Sequence, residues 1–160
     1  MEPVPTSRSS DGARIDAEPS SGPGGAGPSV TVTRRVEWPD TDAAGHYHHS
    51  TVVRWVEAAE AELLRNLGLS HLFGSTPRVR FEADYEARLW FGQLVTVELR
   101  VERLGRSSLH YAFRVADEAG GRAAAGRMVV VHSAARATSS VPWPDDVRAA
   151  LTTGDPTPSP

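Results

Sequence analysis

A chain of 160 residues with an apolar fraction of 39% can build one modest hydrophobic core and not two. Its 17 basic and 20 acidic side chains are interleaved, with a net charge of -3 and no basic stripe, which sets nucleic acid aside as a partner. The sequence has no Cys and no Lys. Disulfides, thiol nucleophiles, thiolate metal sites and Schiff-base chemistry are therefore excluded, and Arg is the only permanent cation available to a phosphate.

The first 28 residues are dominated by Ser, Gly, Pro and Ala, a composition that cannot bury enough apolar surface to offset the entropy of ordering, and they read as a disordered tail. The N-terminus lacks the apolar stretch of a secretory signal, and no apolar run approaches the roughly 20 residues that cross a bilayer. No membrane partner and a cytoplasmic location are the expectation. Residues 152–160 have the composition of the N-terminal stretch, so the folded domain is expected over 29–151.

Within that domain, Val30, Val32, Val36 and Trp38 alternate with polar neighbours and predict a first strand running to Pro39. A loop follows. From Ser50 the period changes, and Val52, Val56, Ala59, Leu63 and Leu67 recur at steps of three and four, with Gly68 just past the last as a C-cap. This predicts a helix of about five turns. Period two then returns in Val79, Phe81, Ala83, Tyr85 and Ala87, with Arg80, Glu82, Asp84 and Glu86 on the opposite, wet face. It recurs in Val95 to Val101 and in Leu109 to Val115, and a Val-rich stretch from Ala123 to His132 completes four strands after one helix. Short links around Gly92, Gly105 and Gly120 suit antiparallel neighbours. Trp143 to Leu151 predicts a short terminal helix. One helix and an antiparallel sheet give a two-layer α+β domain. A single helix covers only part of five strands, so at least a dimer is expected.

The segment from Asp40 to Ser50 holds two carboxylates, three of the six His residues and a Gly, in the loop that delivers the chain to the helix. A helix N-terminus offers unpaired N–H groups and partial positive charge, where a developing oxyanion is stabilised. A carboxylate from Asp42 at the mouth of that turn would complete a hydrolytic site. Asp40, following Pro39, reads as a turn former. His46, His48 and His49 lack the H-x-x-x-H spacing of a helical metal pair, so no metal is expected. Tyr47 and Trp55 read as packing residues or as walls of a pocket, and His110 and His132 show no partners in the sequence.

The run from Trp38 through Asp40, Asp42 and Gly45, followed by His49 and by Arg54 to Ala59, resembles the 4-hydroxybenzoyl-CoA thioesterase family of the hotdog superfamily, in its D-x-D-x-x-G branch. Asp84-Tyr85, the Gly92 turn and Arg103 to Leu109 extend the likeness over about 100 residues. The resemblance implies a hotdog fold, in which a five-stranded antiparallel sheet wraps around a long central helix. It implies hydrolysis of an acyl-CoA thioester at a subunit interface of a homodimer or homotetramer, without metal or redox cofactor, coenzyme A being part of the substrate. By the same likeness Asp42 is nucleophile or general base, the His49 backbone N–H polarises the thioester carbonyl, and Gly45 lets the acyl group or the backbone approach closely. Arg106, Ser107 and Ser108, at a turn, are candidates for contact with the CoA phosphates. Val52 and His46 depart from the family pattern, which has an aromatic residue and a small aliphatic there. Glu60 stands where a basic residue is frequent. Two other readings are a thioesterase acting on chains bound to an acyl carrier protein, and a non-catalytic acyl-CoA binding module. A hydratase on the same fold is disfavoured, because Asp42 and His46 are four apart rather than five.

Overall fold

The computed structural model describes residues 27–134 and 139–156. Of the two expected tails, residues 1–26 and 157–160 lie outside the described residues. The elements are β1 (Ser29–Arg35), α1 (Thr51–Asn66), β2 (Arg78–Tyr85), β3 (Leu94–Leu104), β4 (Ser108–Asp117), β5 (Arg122–Val131) and α2 (Asp145–Thr153). The five strands form one sheet in the order β1-β3-β4-β5-β2, every neighbouring pair antiparallel.

The period-two segments bury the faces their alternation predicts. Val95, Val97, Leu99 and Val101 of β3 and Leu109, Tyr111, Phe113 and Val115 of β4 are buried, alternating with exposed or half-buried neighbours. Helix α1 lays Val52, Val56, Ala59 and Leu63 against this surface, closest to β1 and β3. Each Val or Leu so removed from water contributes about 1.5–3 kcal/mol before entropy is charged against it. Helix α2 packs Val147, Ala150 and Leu151 into the same core. α1 stops where Gly68 takes a left-handed φ of 68°, letting the Leu69 N–H turn back to the Leu64 carbonyl at 2.7 Å.

Two expectations are corrected at the sheet margins. β1 ends at Arg35 instead of running to Pro39, because a single 3₁₀ turn over Trp38–Asp40 breaks the extended path and leaves Trp38 76% exposed. β2 is less buried than its alternation suggests, with Val79 59% and Tyr85 46% exposed. Among the described residues it is an edge strand, paired with β5 alone.

Where β2 crosses β5, the chain needs a residue without a side chain. A Cβ on Gly126 would collide with the Glu82 carbonyl oxygen and come within 2.7 Å of Phe113 Cζ, whose ring stacks on Phe81 at 5.1 Å.

A carboxylate on α1 is sealed inside. Glu60 on α1 is 4% exposed, its Oε2 held by Arg78 at 2.7 Å. Its Oε1 and the Tyr111 hydroxyl are both buried without further partners among the described residues, and the two groups interact. Burial pushes the Glu60 carboxyl up against the opposing pull of Arg78, and burial beside Glu60 pushes the Tyr111 phenol far up.

Candidate active site

The loop before α1 is a small closed structure, and Asp40 closes it. Its carboxylate accepts the Glu37 N–H at 3.0 Å and an Arg54 guanidinium N–H at 2.7 Å, while its carbonyl accepts the His48 N–H at 2.7 Å and the Thr51 hydroxyl at 3.0 Å. Both ends of the loop are thereby tied to the first turn of α1. Arg54 is half exposed, so the ion pair itself is worth well under about 1 kcal/mol, and most of the fastening comes from the hydrogen bonds to the buried Asp40.

Inside this frame Asp42 sits on a tight turn. Its Oδ1 accepts the Ala44 N–H at 2.8 Å, and its carbonyl accepts the Gly45 N–H at 2.9 Å. The local turn and the chemical role are compatible, because Oδ2 has no protein partner among the described residues. Gly45 has φ +81°, a conformation that favours glycine, so its backbone serves the turn that presents Asp42. It does not line the cavity.

Thr41 bridges to Tyr47, the Tyr47 N–H reaches the Leu89 carbonyl at 2.8 Å, and the His46 ring stands edge-on to Trp90 at 5.9 Å. The Asp42 turn is therefore seated on the connector between β2 and β3.

The entry to α1 differs from expectation in one respect. Ser50 is the N-cap, which puts His49 one residue outside the helix. The Thr51, Val52 and Val53 N–H groups are taken by the carbonyls of His48, His49 and Ser50, at 2.9, 3.4 and 3.2 Å. The Ser50 N–H goes to the His48 Nδ1 at 3.2 Å. The His49 N–H is left without an intramolecular acceptor among the described residues. The available donor thus lies beside the helix terminus and is not one of its own first N–H groups.

Asp42 and His49 line one cavity of about 370 Å³, together with His46, Tyr47, Tyr85, Glu86, Ala87 and Arg88. The volume is at the small end of the roughly 300–1,000 Å³ typical of small-molecule sites. Tyr47 is buried, stacked on Trp55 at 6.0 Å, with its hydroxyl 3.4 Å from the Ala123 carbonyl. The Tyr85 hydroxyl donates to the His49 carbonyl at 2.9 Å. Burial raises both phenols above their ordinary range, with Tyr85 adding to the shift at Tyr47, so both stay protonated donors at neutral pH.

Arg106, Ser107 and Ser108 are not brought to this cavity. They form the β3–β4 turn at the far end of the sheet, an eleven-residue strand away, or roughly 30 Å at about 3.3 Å per residue. There the Arg106 carbonyl accepts the Trp143 N–H at 3.0 Å, the Ser107 hydroxyl donates to Ser140 at 3.2 Å, and the Trp143 indole reaches the Ser108 carbonyl at 3.3 Å. The two histidines without visible partners find them in this region: His110 against Arg103 at 2.7 Å, and His132 stacked on Trp143 at 4.9 Å. Burial and Arg103 lower the His110 pKa. Among the described residues no group of three or more His, Asp or Glu side chains could hold a metal ion, and no helix is long and apolar enough to cross a membrane.

Residues 36–151 match the profile of the thioesterase-like superfamily. The chain belongs to this superfamily. Its thioesterase-like relatives include a 1,4-dihydroxy-2-naphthoyl-CoA hydrolase from Prochlorococcus marinus strain MIT 9303, 30% identical over 56% of this chain and 69% of that protein. A structure described as a predicted thioesterase from Bacillus stearothermophilus superposes with TM-score 0.72 at 29% identity, covering 82% of this chain and 99% of the other. A thioesterase from Thermus thermophilus, complexed with coenzyme A and Zn, superposes with TM-score 0.68 at 27% identity, covering 76% and 90%. The relatives are named as hydrolases and thioesterases, and the antiparallel sheet with its two helices agrees with the hotdog fold of thioesterase-like proteins.

The sequence does not single out His46, Tyr85, Glu86 or Arg88 as cavity residues. Tyr85 reads there as one more strand position of the apolar face, Glu86 as a wet-face charge, and Arg88 carries no local signal.

Proposed function

We propose that this protein is an acyl-CoA thioesterase of the 4-hydroxybenzoyl-CoA thioesterase type, converting an acyl-CoA and water to a carboxylic acid and free CoA. The observation that carries the reading is the pairing, in one cavity, of a carboxylate oxygen on Asp42 and a backbone N–H on His49 that are both unengaged among the described residues. The N–H holds the carbonyl oxygen as it gains negative charge. Asp42 Oδ2 then acts in one of two ways. It attacks the carbonyl carbon, expelling CoA thiolate and leaving a mixed anhydride that water hydrolyses, or it takes a proton from the attacking water. Neither route needs a metal or redox cofactor.

The walls favour a flat acyl group, since His46, Tyr47, His49 and Tyr85 all present rings to the cavity. The aromatic substrate in the name of the Prochlorococcus relative agrees with this. The exposed apolar face of edge strand β2 supports a homo-oligomer with a second copy beside the cavity, and in such an assembly a turn like 106–108 of another copy can approach the nucleotide end of CoA.

The test is hydrolysis of a panel of aromatic and short-chain CoA thioesters by the wild-type protein and by Asp42→Asn. Asn keeps the Ala44 N–H acceptor, so the variant is expected to fold while its kcat falls about 10²- to 10⁴-fold. Turnover by Asp42→Asn at the wild-type rate overturns the assignment. Tight binding of CoA esters with no hydrolysis of any by the wild-type protein would make it a binding module instead.

A further inference from the structure

We infer that Arg88 is an anion-recognition residue of the cavity and that it selects acyl groups bearing an acidic substituent, an aromatic carboxylate or phenolate. This rests on the thioesterase reading and names the part of the substrate that reading leaves open.

Arg88 lies on the connector from β2 to β3, between two anchors. The Glu86 and Ala87 N–H groups both donate to the Ala123 carbonyl, at 2.8 and 3.2 Å, and on the other side Leu89 is buried with its carbonyl engaged by the Tyr47 N–H. The backbone at Arg88 is thereby fixed beside the cavity wall.

Among the other polar side chains lining the cavity, His46 contacts the Tyr47 carbonyl, Tyr47 reaches Ala123, Tyr85 reaches His49, and Glu86 is paired with Arg122 at 2.7 Å. Asp42 Oδ1 holds the Ala44 N–H while Oδ2 is kept for the thioester, and the His49 ring stands edge-on to Tyr85 and carries no permanent charge. Arg88 has neither hydrogen bond nor ion pair among the described residues, although the Glu86 carboxylate is two residues away. A solitary surface Arg is ordinarily just solvated. This one lines the same cavity as the carboxylate proposed to act on the thioester, and its planar fork suits two oxygens of an anion.

Such an anion has two sources in an acyl-CoA, the acyl group and the nucleotide phosphates. A cavity of about 370 Å³ holds an acyl group and the thioester but not the whole CoA. With the thioester carbon at Asp42, the phosphates lie a full pantetheine arm away, and the acyl substituent is the one that meets Arg88.

The experiment is calorimetric titration with non-hydrolysable thioethers, S-benzyl-CoA and S-(meta-carboxybenzyl)-CoA, each repeated as the pantetheine derivative without nucleotide. The wild-type protein is expected to prefer the carboxylated ligand, and Arg88→Ala to lose about 10- to 100-fold of that selectivity in both series. Arg88→Glu is expected to invert it. Absence of selectivity in the wild-type protein overturns the inference. So does an equal loss on both CoA ligands that vanishes on the pantetheine pair, which would assign Arg88 to a phosphate. Because the readout is binding, failure of Arg88 is distinguishable from failure of the thioesterase reading, which the hydrolysis panel decides separately.

Discussion

The Tyr85 hydroxyl donates a 2.9 Å hydrogen bond to the His49 carbonyl, joining the end of β2 to the residue just before α1 across the cavity. The bond fixes the peptide that follows His49 and so steadies the orientation of the neighbouring His49 N–H. Tyr85→Phe is expected to cost no more than about 1 kcal/mol of stability, because the ring is nearly half exposed. Its kcat is expected to fall about tenfold with KM less affected, as for a group that orients a transition-state donor. Steady-state kinetics beside a thermal melt checks both.

Gly45→Ala tests the turn that presents Asp42. The added Cβ meets only Trp90, at 3.9 Å, so space is available and the cost is conformational, about 1–2 kcal/mol for a left-handed residue. Activity should fall more than global stability does, because the turn can relax locally and carry Asp42 away. Gly45→Asn, which tolerates that φ better, should recover part of the loss. A retained wild-type kcat in Gly45→Ala would show that the turn tolerates an ordinary residue.

Glu60 gives stability a pH dependence of unusual sign. Burial raises its carboxyl pKa in the folded protein, so the folded state holds the proton more tightly than the unfolded state. Its contribution is fully present below the unfolded value, near 4.5, and is lost as pH rises through the raised folded value. Glu60→Gln keeps an acceptor for Arg78 and a partner for Tyr111 and does not titrate. Denaturant unfolding from about pH 4 to 7 should show Glu60→Gln gaining on wild type as pH increases. A difference independent of pH would mean that Arg78 holds the carboxylate ionised throughout.

At Gly126 the steric argument is direct. Alanine would drive a methyl into the Glu82 carbonyl and the Phe113 ring, so overpacking by about 1–3 kcal/mol is expected, seen as a lowered denaturation midpoint. The residue lies within the β2–β5 pairing and outside the cavity, so the loss belongs to stability and not to chemistry.

Legibility in the sequence follows the range of the forces involved. The faces of β3 and β4 can be read because a strand buried on one side writes its burial as period two. The same rule overstates β2, since Val79 and Tyr85 obey the alternation while lying on an edge that the sheet order alone reveals. Trp38 continues the phase of β1, but Pro39 and the Asp40 side chain turn the chain first. Asp42 and His49 are legible through the resemblance that their segment carries. Arg88 is not, because a connector side chain takes its meaning from what the tertiary path sets opposite it. Arg106 to Ser108 show the converse: a turn with suitable chemistry lies at the far end of the chain's own sheet.

The Asp42 turn and the connector are clasped through Tyr47 to Leu89 and His46 to Trp90, and residues 86–88 line the cavity between this clasp and their anchor on the Ala123 carbonyl. Substitution at Glu86, Ala87 or Arg88 can therefore reshape what the pocket accepts without displacing the carboxylate. On the proposed reading, selectivity can change at these three positions while the Asp42 turn keeps its geometry, which gives a lineage room to change substrates without losing activity.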